Sequence, residues 1–435
     1  MTFLLRHLLL VPLALGSVEA NAQDTLRLAA LQETALVRDP RAVQPALLRS
    51  ASTLRLTSLE FERRPQLTLN GFALHQSDVT SIPIRLPGTS VPIPPKDRWQ
   101  ATVDLQHMLY DGGSVSARQS LERARFAESA AAVDAALYRT RAEVNSAFFN
   151  AYMLQERVQE VDALRGDLSA RLSVARARVA SGTALGRDTA SIMVELLRAE
   201  VSKREAQSSR GAALAVLERF AGRAIDTSAV LELPDLTVDV ERARREGRAE
   251  ALRTRPEFAQ YRQSRARIDR EAALTLVENR PRLAAFAQAG IGRPGYNQFR
   301  TDTDQLWQAG LRVEWRPWTW RSADRANEVL QVQRRVVDTE EQALAEALAR
   351  AVESDIADFT RLREALTTDE QIIALRADIE REAREQYAEG VLTAADYVET
   401  RTDVLEARLT LQRHRAELSQ AQARFLTTLG LAPRK

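Results

Sequence analysis

Nearly the same pattern is written twice along this chain, roughly 210 residues apart, and each copy changes its period partway. Arg64-Pro65-Gln66-Leu67 opens an alternating stretch in the first copy, and Arg280-Pro281-Arg282-Leu283 opens one in the second. Further on, Gly182 precedes Asp188 as Gly390 precedes Asp396. The arms close on Arg219-Phe220 before Gly222 and on Arg424-Phe425 before Gly430. A unit of this kind buries its apolar surface against its neighbour rather than alone.

The proline distribution sets the length of the arms. No proline lies between Pro95 and Pro234, or between Pro317 and Pro433. A proline inside a helix costs roughly 3 kcal/mol, so both tracts are free to form very long helices. From Ser114 to Ser181 the only glycine is Gly166, and from Ser322 to Glu389 there is none. Val161, Leu164, Leu168, Leu172, Ala175 and Val179 advance in steps of three and four, the narrow stripe of a coiled coil. At 1.5 Å per residue such an arm is a rod of about 100 Å.

Four shorter stretches alternate with period two. Leu67, Leu69, Gly71 and Ala73 oppose Gln66, Thr68 and Asn70. Trp99, Ala101, Val103 and Leu105 oppose Gln100, Thr102, Asp104 and Gln106. In the second copy, Leu283, Ala285, Ala287, Ala289 and Ile291 share a face, as do Trp307, Ala309, Leu311, Val313 and Trp315. One apolar and one polar face over ~10 residues is the pattern of a transmembrane barrel strand, with lipid outside and water inside. The five tryptophans, Trp99, Trp307, Trp315, Trp318 and Trp320, stand at strand ends or just past them, where an indole meets both lipid and water. The proline-rich segment 77–97 and the glycine-containing segment 292–304 connect the strands and belong on the outer surface. Four strands cannot close a barrel, which takes about eight or more, so copies must associate; two would give eight strands and three would give twelve.

Composition narrows the function. The first 22 residues carry Arg6, an apolar run from Leu8 to Leu15 and Ala20-Asn21-Ala22, the features of a secretory signal with the mature chain starting at Gln23. Without cysteine there is no disulfide, thiolate metal site or acylated anchor. The net charge of +2, with 61 basic and 59 acidic residues interleaved, argues against nucleic-acid binding. His7, His75, His107 and His414 lie far apart, so neither a metal site nor a catalytic triad is expected, and no cofactor is implied. Gly290-Ile291-Gly292-Arg293-Pro294-Gly295 fits G-x-G-x-x-G, but Pro294 and a polar loop follow where a dinucleotide site needs a helix to begin.

The polar features left over are two helix junctions. Gly182 and Gly390 read as helix-ending glycines, each with an acid near the next helix start, where the helix dipole favours it. Asp396 and Glu399 are three apart on one helical face. Around a symmetric tube they would form a carboxylate ring resisting anions.

Arg255-Pro256-Glu257, Pro281 before a strand, Tyr387 with Gly390 and Asp396, Leu405-Glu406-Ala407-Arg408 and the junction Asp111-Gly112-Gly113 resemble the TolC-like outer-membrane efflux proteins, the outer membrane factors. The resemblance covers the whole mature chain. It implies a mainly α protein with a small β part: a homotrimer in which a helical barrel continues a twelve-stranded transmembrane β-barrel, four strands per chain in two repeats. The division expected is 1–22 signal, 23–222 first repeat (hairpin about 65–109, helices about 114–220), 223–254 equatorial linker, and 255–435 second repeat (hairpin about 281–316, helices about 322–430). It further implies a non-enzymatic exit duct in the outer membrane, reaching into the periplasm. Such a duct joins a periplasmic adaptor and an ABC- or RND-type inner-membrane pump, and carries drugs, metal ions or, in type I secretion, polypeptides. By position, Arg187, Asp188, Tyr387, Asp396 and Glu399 fall at its periplasmic iris. Leu392 stands where some members carry an arginine, Arg187 where they carry a small hydroxyl residue, and Trp318-Thr319-Trp320 replaces the Gly-Gly of Gly112-Gly113. The alternative reading is a soluble periplasmic coiled-coil adaptor or scaffold, which would share the signal and rods but need no tryptophan-ended strands.

Overall fold

A computed structural model describes residues 25–80, 93–183, 185–246, 253–297 and 300–432. The expected signal and most of the proline-rich segment, including Pro83, Pro87 and Pro92, lie outside the described residues. The chain runs β1 (Thr25–Leu26), α1 (Leu28–Arg38), a short 3-10 turn (Pro40–Val43), α2 (Gln44–Phe61), β2 (Gln66–His75), β3 (Asp97–Tyr110), α3 (Ser114–Ala180) and α4 (Gly186–Ala221). It continues with β4 (Val230–Leu231), α5 (Thr237–Glu246), α6 (Pro256–Val277), β5 (Arg282–Arg293), β6 (Asp304–Glu314), α7 (Ser322–Ala388) and α8 (Ala394–Thr428). The two long helices have 67 residues each, about 100 Å. They are followed by helices of 36 and 35 residues.

Each long helix stops for the same local reason. Gly182 adopts φ 76° and Gly390 φ 79°, left-handed values that a Cβ disfavours. At the first end the amide of Thr183 donates to the Arg178 carbonyl (2.9 Å) and that of Gly182 to Val179 (3.0 Å). At the second, Val391 donates to Gln386 (2.9 Å) and Gly390 to Tyr387 (3.2 Å). Those bonds occupy carbonyls that the helix leaves without partners, and reverse the chain.

The strands form one antiparallel sheet in the order β2-β3-β5-β6. Leu69 pairs with Val103, Val103 with Ala289, and Ala289 with Trp307, so the apolar positions read from the sequence share one face. Gly290 serves the sheet, not a nucleotide: a Cβ there would strike the Ala101 carbonyl and come within 2.8 Å of the Thr102 Cα. Trp307, Trp315, Trp318 and Trp320 are exposed, and Trp318 meets Trp320 edge to face at 5.6 Å. Trp307 lies within β6 and Trp315 one residue past its end. Among the described residues no helix is long and apolar enough to cross a membrane, a statement about helices alone.

At the strand-to-helix junctions the two halves differ. Gly112 and Gly113 take φ of 68° and 91°, and the Asp111 carboxylate accepts from the amides of Gly113 (2.9 Å) and Val115 (2.8 Å). Trp320 and Arg321 adopt the same left-handed region at 51° and 59°, at a cost of roughly 1 kcal/mol or more each.

Helices lie in one layer beneath the sheet, in matching order. In the upper part α2 packs on α3, α3 on α6 and α6 on α7; in the lower part α4 packs on α3, α3 on α8 and α8 on α7. Between the two parts lies the main core. Phe148 and Phe149 of α3, Leu217 of α4, Phe359 of α7, Phe425 and Leu426 of α8 and Leu429 just past its end are fully buried there with Leu28 and Leu231. The polar groups inside are paired. Asn145 accepts from Gln32 (2.5 Å) and donates to Thr427 (2.9 Å), and the Gln155 amide exchanges bonds with the Leu231 backbone at 2.8 and 3.1 Å. Of segment 223–254, the described residues Ile225, Ala229, Leu231, Leu236, Val240 and Ala243 are buried in this core, where β4 pairs in parallel with β1.

Candidate functional site

The lower stripe on α3 buries as its spacing predicts: Val161, Leu168, Leu172 and Ala175 pack against Ile192 and Ala199 of α4, with Val398 of α8 alongside. That packing brings the tip of the α3–α4 pair against the tip of the α7–α8 pair, and the expected gate residues fall there.

Asp188 and Asp396 each cap a helix. The Asp188 carboxylate accepts from the Leu185 amide (3.2 Å) at the start of α4. Asp396 accepts from the Thr393 hydroxyl (2.6 Å), while its own amide donates to that hydroxyl oxygen (3.2 Å) at the start of α8. Reciprocal bonding of this kind fixes where a helix begins and is worth about 1 kcal/mol. The exposed Arg187 guanidinium stands 3.9 Å from the Asp188 carboxylate. Glu399, also exposed, lines a groove of about 470 Å³ with Ser191, Glu195 and Arg198 of α4.

Tyr387 leads into a denser cluster. Its ring stacks on that of Tyr397 (centroids 5.2 Å apart, 14° between planes), and the Arg178 guanidinium of α3 lies over it at 4.5 Å. Arg171 of α3 lies over Tyr397 at 4.4 Å and bonds the Asp167 carboxylate at 2.7 and 3.2 Å. Beneath the ring, the Tyr397 hydroxyl donates to the buried Glu380 carboxylate (3.0 Å), which Arg384 binds through both oxygens (2.9 and 2.7 Å). Arg401 reaches from α8 toward Glu380 (3.6 Å) and Asp167 (3.5 Å). Burial would raise the Glu380 carboxyl, but the hydrogen bonds from Arg384 and Tyr397 outweigh it and hold it below the usual glutamate value. The same exchange raises Arg384, through its bonds to Glu380 first and to Tyr397 second.

Sequence reading reached Tyr387 and missed Arg171, Arg178, Glu380, Arg384, Tyr397 and Arg401. A signal was present in the heptad spacing: Arg171 and Arg178 are seven apart, as are Glu380 and Tyr387. Cation–π contact between desolvated groups is worth about 0.5–2 kcal/mol, so two such contacts are a substantial link between the hairpins. Farther up, His414 stands 2.6 Å from Asp369.

An exposed apolar sheet with indoles at and beyond its strand ends is thus continuous with two antiparallel helix pairs, in each of which the longer helix reaches about 100 Å. The family model described as outer membrane efflux protein matches residues 61–223, from the end of α2 through the α3–α4 pair. No curated protein matches the sequence significantly. Among solved structures the fold is similar to CusC, with a TM-score of 0.70 at 12% identity over 93% of this chain and 92% of that one. VceC of Vibrio cholerae gives 0.66 at 14% identity over 94% and 97%. The MtrE outer membrane channel of Neisseria gonorrhoeae in its open state gives 0.66 at 16% over 94% and 90%. At these identities the likeness is one of fold.

Proposed function

We propose that the chain is the outer-membrane exit duct of a tripartite efflux or secretion system. Three copies close a barrel of twelve strands, continued by a helical tunnel through the periplasm, with an adaptor protein and an ABC- or RND-type inner-membrane pump as partners. Transport is passive, and no residue performs chemistry on the cargo. The observation that carries this reading is the sheet: its apolar face is exposed along Leu67, Leu69, Leu311 and Val313 and bounded by Trp307 and Trp315. A soluble adaptor has no use for such a face, which water opposes at about 25 cal/mol per Å² of apolar surface.

Regulation belongs to the helix tips. The contacts from Arg171 and Arg178 to Tyr397 and Tyr387 hold the α7–α8 hairpin against α3, and opening is a two-state separation of those hairpins biased by partner contacts. Arg187, Asp188 and Glu399 stand at the same end and set its charge, with Asp396 anchoring α8. Detergent extraction of outer membranes, followed by bilayer recording, tests the reading. Heat-resistant oligomers with a small conductance are expected; a protein that stays soluble without detergent and conducts nothing would sink it in favour of the scaffold.

A further inference from the structure

The apolar packing of α3 lapses between the main core and the lower stripe. Its last residues in the core are Tyr152, Met153 and Leu154, and the stripe begins at Val161. Gln155-Glu156-Arg157-Val158-Gln159-Glu160 runs between them. A cavity of about 180 Å³ opens there in the seam between α3 and α8, lined by Glu156, Arg157 and Glu160 from α3 and by Leu409, Thr410 and Arg413 from α8.

Glu160 stands half-buried in that gap, and one of its carboxylate oxygens is closed off without a hydrogen bond among the described residues. Glu156 repels it, and the basic groups nearby are engaged elsewhere. The Arg157 guanidinium donates to Ser202 of α4 (3.3 Å), and Lys203 of α4 binds Asp162 (2.6 Å). On α8, Arg413 stands 3.8 Å from Glu417, and Arg415 stands 3.8 Å from Glu370 of α7. Burial first and Glu156 second, offset in part by Arg157, push the Glu160 carboxyl up to about 7. An enclosed carboxylate ionises at a cost unless water or a cation reaches it, and parting α3 from α8 at the cavity lets water in.

We propose that Glu160 is a proton-operated latch: protonated, it lets α3 and α8 close over the cavity, and ionised, it favours separation of the α3–α4 and α7–α8 hairpins below. The inference rests on the opening proposed above and adds the group whose proton is coupled to it. Its place on the helix suits a hinge. Glu160 precedes Gly182 by 22 residues, about 33 Å, at the boundary between the core that stays packed and the stripe that moves. A ligand shifts a two-state equilibrium only by its differential affinity, and here the ligand is the proton. The closed form holds it up to about pH 7, and a solvated Glu160 releases it near 4.5, so opening grows between those values and levels off above. Discounted for partial exposure, the rise is about 5- to 30-fold.

Two readouts test the latch. In planar bilayers the wild-type open fraction should climb by that factor from about pH 5 to about pH 8, and Glu160→Gln should stay low throughout. Glu156→Gln, which removes the like charge, should move the midpoint to lower pH. The second readout needs no conductance. The chain has no cysteine, so Leu409→Cys places a single thiol in the cavity wall. Its rate of labelling by an uncharged maleimide in detergent is divided by that of Leu409→Cys/Glu160→Gln at the same pH, which cancels the ionisation of the thiol itself. The quotient should be close to one in acid and rise by about 5- to 30-fold at the higher pH. An ionised carboxylate acting only as a neighbouring charge would lower it. A flat quotient, or a pH response of the open fraction that Glu160→Gln retains, overturns the proposal. A rising quotient in protein that conducts nothing keeps the latch and removes the duct.

Discussion

Arg171 is the residue through which the link between the hairpins is best measured. It belongs to α3, is 17% exposed, and touches the α7–α8 hairpin through the Tyr397 ring at 4.4 Å. Arg171→Met keeps the aliphatic stem over the ring and removes the guanidinium. The cation–π attraction that disappears with it is worth about 1–2 kcal/mol in this desolvated setting. The broken bond to Asp167, within one helix, adds only about 0.3–0.5 kcal/mol, and Asp167 keeps Arg401 at 3.5 Å. Weakening the link by 1–2 kcal/mol multiplies the population with separated hairpins by about 5–30. In planar bilayers the open fraction of single channels should rise by that factor while the thermal unfolding midpoint barely moves. Tyr397→Leu should raise the open fraction as well, though it also lowers the thermal midpoint by removing the Tyr387 stack and the hydroxyl bond to buried Glu380, and in open fraction the double variant should fall short of the sum by about 1 kcal/mol of coupling. Asp396→Ala serves as a contrast, costing the α8 start about 1 kcal/mol without changing that coupling. An open fraction equal to wild type in Arg171→Met, together with strict additivity in the cycle, would refute the assignment.

Glu160 makes stability fall as pH rises. Burial first, and the neighbouring Glu156 second, push its carboxyl up to about 7, and one of its oxygens is enclosed without a hydrogen-bond partner. The folded state therefore holds a proton that the unfolded chain releases near pH 4.5, so stability declines between pH 4.5 and 7 and levels off above. Discounted for partial exposure, the decline is about 1–2 kcal/mol; denaturation of Glu160→Gln should lack it, and an identical pH profile in the variant would exclude Glu160 as its source. Gly290→Ala should part β3 from β5, where the Cβ meets the Ala101 carbonyl, and cost about 1–3 kcal/mol, read as loss of heat-resistant oligomer. Gly186→Ala, with nothing within 4 Å, should leave that oligomer intact; equal loss in both would remove the packing explanation.

What the sequence determined by itself was everything that repeats along one segment. The absence of proline between Pro95 and Pro234 allowed one 67-residue helix, and Gly182 ended it where a left-handed residue was needed. Alternation along 97–110 and 304–314 placed the apolar face of both strands, because a strand's two faces are set by its period alone. The cap acids Asp188 and Asp396 were legible for the same reason, lying within one turn of the helix starts they hold.

Tertiary structure alone decided how those pieces face one another. The pairing of β3 with β5, which joins the two hairpins, connects residues far apart in the chain and leaves no local mark. The two-residue strands β1 and β4 are too short to show any period. Arg171 and Tyr397 meet across more than two hundred residues because the stripe from Val161 to Ala175 fixes the rotation of α3 against its neighbours. A period gives a helix its apolar face. Which charges lie beside that face once it is buried depends on the rotation and offset of two helices, and those are set only when the cores interdigitate.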